Sequence, residues 1–80
     1  MEISITEREG NEVVLQVLSQ DHRTNYSDVE AASKEFMAAQ FPDQDFTYDG
    51  AGRVGVGITA DGKGMGHQAK FFVGFQLNEG

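Results

Sequence analysis

The chain has 80 residues, with 13 acids against 6 bases, a net charge of −7 and no cysteine. That composition excludes thiol chemistry, zinc–thiolate sites and disulfide staples, and it sets an electrostatic field against direct binding to DNA, RNA or anionic lipid. The length implies one domain, residues 1–80, with a thin core, because a chain of this size buries only about 60–65% of its unfolded surface.

Residues 2–8 alternate, with Ile3 and Ile5 facing one way and Glu2, Ser4, Thr6 and Arg8 the other. Gly10-Asn11 is a turn signal, and residues 12–19 read as a second strand, so the first twenty residues predict an antiparallel hairpin. Val13, Leu15 and Val17 share one face of that second strand. Val14 and Leu18 make the opposite face apolar as well. The polar stretch 20–26, which holds His22, Arg23 and Tyr26, reads as a connector.

Residues 27–40 form the one stretch with helical periodicity. Ser27 and Glu30 are spaced as a capping box, and Asp28 and Glu30 sit where the helix dipole favours negative charge. Val29, Ala32, Ser33, Phe36 and Gln40 fall on one face with Met37 beside them; Asp28, Ala31 and Glu35 fall on the other. Glu30 and Lys34 make an i, i+4 pair worth roughly 0.2–0.5 kcal/mol. Pro42 disfavours helix at Phe41, so the helix should stop near Gln40. Val29, Phe36 and Phe41 are the expected core anchors.

Residues 46–48 then read as a short strand, Asp49-Gly50-Ala51-Gly52 as a turn, and residues 53–60 as a strand with Val54, Val56 and Ile58 on the core side and Gly55 and Gly57 opposite. Asp61-Gly62-Lys63-Gly64 is a hairpin signal, since Asp-Gly suits the positive φ of a type I′ turn. Residues 66–77 make the last strand. Ala69, Phe71, Val73, Phe75 and Leu77 lie on one face, and Lys70, Phe72, Gly74 and Gln76 on the other. The expected fold is α+β and two-layered: an antiparallel sheet of about five strands packed on one helix, in the order β-β-α-β-β-β.

The motifs that would carry chemistry fail one by one. The glycines of residues 50–66 lie in and between strands rather than opening a helix, which a phosphate cradle requires. Asp43, Asp45 and Asp49-Gly50 miss the calcium-loop spacing, with Thr47, Tyr48 and Val54 where the ligands and the glycine belong. His22 and His67 lack partners at metal-ligand spacing. Lys70-Phe71-Phe72-Val73-Gly74-Phe75 has aromatic alternation but lacks the glycine that follows the basic residue of an RNA-stacking strand. No apolar run nears the roughly 20 residues that span a bilayer, and the N-terminus lacks the regions of a signal peptide. The reading is a cytoplasmic, non-enzymatic protein with no cofactor, no metal, no direct nucleic-acid ligand and no membrane contact.

The charge is unevenly placed. Ten acids and three bases fall in residues 1–45, and three of each in residues 46–80. In size, acidity and sheet-plus-helix layout the whole chain resembles the small phage-encoded inhibitors of host defence, the anti-CRISPR proteins in particular. The resemblance implies an inhibitor in the host cytoplasm, whose acidic face docks on a basic surface of a protein partner, the nucleic-acid channel of an effector complex, and blocks target DNA. The expected partner-binding residues are Glu7, Glu9 and Glu12 of the first hairpin, Asp28 and Glu35 on the outer helix face, and Asp43 and Asp45. Arginine forks pair bidentately with carboxylates as they do with phosphates. The alternative is a self-associating structural or accessory protein that uses Gly55, Gly57, Phe72 and Gly74 on the uncovered sheet face. Monomer and homodimer both remain open.

Overall fold

The computed structural model describes residues 1–21, 23–57 and 68–78. It is α+β: strands β1 (Glu2–Glu9) and β2 (Glu12–Ser19), helix α1 (Tyr26–Gln40), and strands β3 (Asp45–Gly57) and β4 (Gln68–Asn78). All pairings are antiparallel, and the order across the sheet is β1-β2-β4-β3. Among the described residues the sheet therefore has four strands rather than five. His22, Ile58, the expected turn at residues 61–64 and His67 lie outside the described residues.

The missing fifth strand is a merger. Residues 46–48 and 53–57 belong to one strand, and Asp49-Gly50 is a bulge within it rather than a turn. Tyr48 pairs with Phe75 and Gly50 with Gly74, which leaves Asp49 as an extra residue; Gly50 takes φ +116°. Asp-Gly supplies the same positive φ to a turn and to a bulge, so the dipeptide alone does not distinguish them. A second bulge leaves Gly55 extra between Val54 and Val56.

The bulges change which side chains face the core. Beyond Asp49, Ala51 pairs with Val73 and Arg53 with the buried Phe71, while Val54 pairs with Lys70 on the opposite face. Val54 is accordingly 45% exposed, which corrects its expected core placement. A third bulge in β1 makes Thr6 extra between Ile5, opposite Leu15, and Glu7, opposite Val14. Arg8 thereby comes opposite the buried Val13, on the core side, where its guanidinium lies 5.1 Å from the Phe41 ring centre.

The core forms between α1 and one sheet face. Val13, Leu15 and Val17 of β2, and Ala69, Phe71, Val73, Phe75 and Leu77 of β4, are buried against Val29 and Met37 of the helix. Phe36, Phe41, Phe46 and Tyr48 pack around them at partial exposure. Met37 thus lies on the buried stripe itself rather than beside it, and the expected anchors Phe36 and Phe41 flank it. Phe75 receives both Phe46 and Tyr48 edge-on, at 5.5 and 5.7 Å between ring centres.

The helix begins two residues earlier than the capping box suggests. Asn25 is the N-cap, with its Oδ1 accepting from the Asp28 N–H at 2.9 Å, so Ser27 lies inside the first turn. Asparagine caps as well as serine does, and the more upstream of the two wins here. The far end is as expected: the Phe41 N–H donates to the Met37 carbonyl at 2.8 Å, and Pro42 follows. Between β2 and α1 the buried hydroxyls of Ser19 and Thr24 bond to each other at 2.6 Å, which holds the connector against the core.

Candidate functional site

One helix covers one face of the sheet, and among the described residues no element packs on the other. The pair register places the open face residue by residue. Across one row lie Glu2, Leu18, Lys70 and Val54; across the next, Ser4, Gln16, Phe72 and Gly52; then Glu7, Val14, Gly74 and Gly50; then Glu9, Glu12, Gln76 and Thr47; and at the end Asn78 and Asp45. Val14, Leu18 and Phe72 are half-buried among their neighbours. Phe72, Val14 and three glycines lie at the centre of this face beside Ser4 and Gln16, and one end of it is acidic.

The acidic end depends on the β1 bulge. Strict alternation would put Glu7 and Glu9 on the side of Ile3 and Ile5, toward the core. The extra residue at Thr6 reverses the parity, so Glu7 and Glu9 join Glu12 on the open face. Glu9 and Glu12 stand directly opposite each other across the hairpin, an arrangement of like charge that works against the pairing. Asp45 reaches the same end from the start of β3. Asp49 joins it through its bulge, with its Cβ 3.7 Å from where a side chain at Gly74 would begin.

Of the partner-binding residues expected from sequence, Glu7, Glu9, Glu12 and Asp45 therefore come together. Asp43 lies exposed in the loop just before β3. Asp28 and Glu35 do not join them: both are exposed on the side of α1 turned away from the buried stripe of Val29, Ser33 and Met37, across the molecule from the open face. Asp49 and Glu2 are open-face carboxylates that sequence reading missed. Glu2 was legible from its alternation with Ser4; Asp49 was hidden by its likeness to a turn residue. Of the residues in the self-association alternative, Phe72 and Gly74 lie on the open face, Gly55 is a bulge residue, and the Gly57 backbone pairs with Gln68.

The basic side chains are distributed differently. Arg8, Lys34 and Arg53 lie on the helix side, over Phe41, Tyr48 and Phe71. Lys70 alone among the described bases is on the open face, 5.3 Å from the Phe72 ring centre and at the end away from Glu12. The ion pairs Arg23–Asp21 and Lys34–Glu30, at 3.3 and 2.9 Å, involve none of the open-face carboxylates. Among the described residues no three acids or histidines converge closely enough to hold a metal ion. No described helix is long and apolar enough to cross a membrane.

Comparison with known protein families, with curated proteins and with solved structures gives no match.

Proposed function

We propose that this chain is a small acidic binding protein without chemistry of its own, which docks the carboxylate end of its open sheet face on a basic surface of another protein. In the terms of the resemblance to phage anti-CRISPR proteins, that surface is the nucleic-acid channel of a host effector complex in the cytoplasm, and docking denies the channel its DNA. One observation carries the reading. Glu7, Glu9, Glu12, Asp45 and Asp49 share one end of the open face, unneutralised by either ion pair. Carboxylates held on strands present fixed acceptors to arginine and lysine, and potentials of this kind raise association rates with an oppositely charged partner. An apolar centre beside a charged rim is also the usual anatomy of a protein interface. Self-association through Phe72 and Gly74 would use the same face, but would bring two copies of the acidic end together.

The test is capture of a partner from bacterial lysate by the immobilised chain, at low salt and at about 0.5 M salt, where screening acts within about 4 Å. Glu9→Lys with Glu12→Lys should abolish capture, and high salt should weaken it. Asp28→Lys with Glu35→Lys makes the same charge change on the helix side and should leave capture intact. Loss with the helix pair and retention with the hairpin pair would refute the assignment.

A further inference from the structure

We infer that what covers the open face is a basic amphipathic helix belonging to the partner, lying across β2 and β4 as α1 does on the other side. This rests on the docking reading above and adds the form of the docking segment.

Three observations point to a helix. First, among the described residues nothing covers Val14, Leu18, Phe72 and Val54 on the open face, while β2 and β4 are buried on the core side. A segment laid flat on a sheet face gains no hydrogen bonds from the strands, whose N–H and C=O groups point sideways within the sheet. An extended peptide placed there would bury its own backbone groups unpaired, whereas a helix satisfies them internally.

Second, Gly50, Gly52 and Gly74 make a strip of bare backbone in the middle of the face, bordered by Val14 and Phe72. A Cβ added at Gly52 would meet nothing within 4 Å, and at Gly74 only ordinary contacts, Asp49 Cβ at 3.7 Å and the Gly50 carbonyl at 3.8 Å. Among the described residues nothing fills this floor, and glycine within strands permits close approach by a second backbone.

Third, charge complementarity selects the occupant. The face carries Glu2, Glu7, Glu9, Glu12, Asp45 and Asp49 against Lys70. A second copy would double that negative charge, while a helix with lysine or arginine beside its apolar stripe neutralises it. The dimensions agree. From the Glu12 row to the Leu18 row is about 20 Å of strand, the length of a helix of about 13 residues, and four strands span about 15 Å, against a helix diameter of about 10–12 Å.

The experiment is an NMR titration of the isotope-labelled 80-residue chain with a synthetic leucine–lysine peptide of about 14 residues designed as an amphipathic helix. Two controls are the same peptide with a central proline, and its leucine–glutamate counterpart. The expected result is chemical-shift change centred on Val14, Gly52, Phe72 and Gly74 with the helical basic peptide, much weaker change with the proline peptide, and none with the acidic one. Gly52→Leu, which fills the floor at an unobstructed position, and Val54→Lys, at an exposed one, should each cut the affinity several-fold with the fold intact. Equal binding of the proline peptide would overturn the helical form and leave the docking reading standing. Equal binding of the acidic peptide would overturn both. Shifts on α1, no binding by either basic peptide, or concentration-dependent shifts on the open face without any peptide would overturn the inference; the last would assign the face to a second copy.

Discussion

Ser33 should be replaceable by alanine with a gain in stability. It sits fully buried on the inner stripe of α1, one turn from Val29 and one from Met37, and its Oγ has no hydrogen-bond partner among the described residues. A buried hydroxyl without a partner carries a desolvation penalty of about 1–3 kcal/mol. Alanine removes the penalty and is also a better helix former, by up to about 0.5 kcal/mol. Against this stands the loss of a few dispersion contacts made by one oxygen, at about 0.1–0.2 kcal/mol each. The net expectation for Ser33→Ala is a stabilisation of about 1–2.5 kcal/mol. That is large for a chain of this size, whose total stability should be about 4–12 kcal/mol. In thermal unfolding it corresponds to a rise in Tm of about 5–15 °C. Urea denaturation should show the same gain as a higher midpoint with an unchanged slope. A neutral or destabilising result would refute the reasoning. It would mean that the hydroxyl has found an acceptor, most simply the Val29 carbonyl one turn back along the helix.

Other substitutions test the remaining features. Asn25→Ala should destabilise by about 0.5–2 kcal/mol through loss of the cap, while Ser27→Ala should change little; the opposite ranking in urea denaturation would restore Ser27 as the cap. Gly50→Ala should cost about 1–3 kcal/mol because its φ is +116°, whereas Gly52→Ala, with ordinary φ and open space, should be neutral or slightly stabilising. Glu12→Lys should stabilise the fold at low salt by a few tenths of a kcal/mol, since it turns the Glu9–Glu12 opposition into an attractive pair, and the gain should shrink at high salt. Glu35→Lys makes the same net charge change away from any such pair; if it stabilises equally, general relief of the −7 charge and not the hairpin geometry is responsible.

The sequence was most informative where the chain is regular. Periodicity located β2, the body of the helix and the buried face of β4, because each of these elements keeps its period from end to end. It failed where a single extra residue breaks the period. Alternation read through Thr6 put Arg8 on the wrong side of β1, and alternation restarted at Arg53 put Val54 in the core. Asp49-Gly50 looked like a turn because the backbone demand on the glycine is the same in a bulge. The candidate site suffered similarly. The carboxylates of the first hairpin and Asp45 were identifiable as charges, but their gathering on one face depends on pairing register, which couples β1 to β2 and β3 to β4 and is not written in any local stretch. Asp28 and Glu35 look equivalent to them in a charge count and stand on the far side of the molecule.

The irregularities are confined to the outer strands. β1 and β3, the two borders of the sheet, carry all three bulges, while the pairing between the inner strands β2 and β4 is unbroken. A kinked border is a poor template for another chain's backbone, and Glu7 and Glu9, two of the three charged side chains in the second half of β1, add repulsion between copies. Lateral growth into long ribbons or amyloid-like stacks is thereby discouraged, despite a thin core and an exposed apolar patch. The broad surfaces of the sheet and helix, and not its rims, are thereby left as the ground on which a second chain could settle.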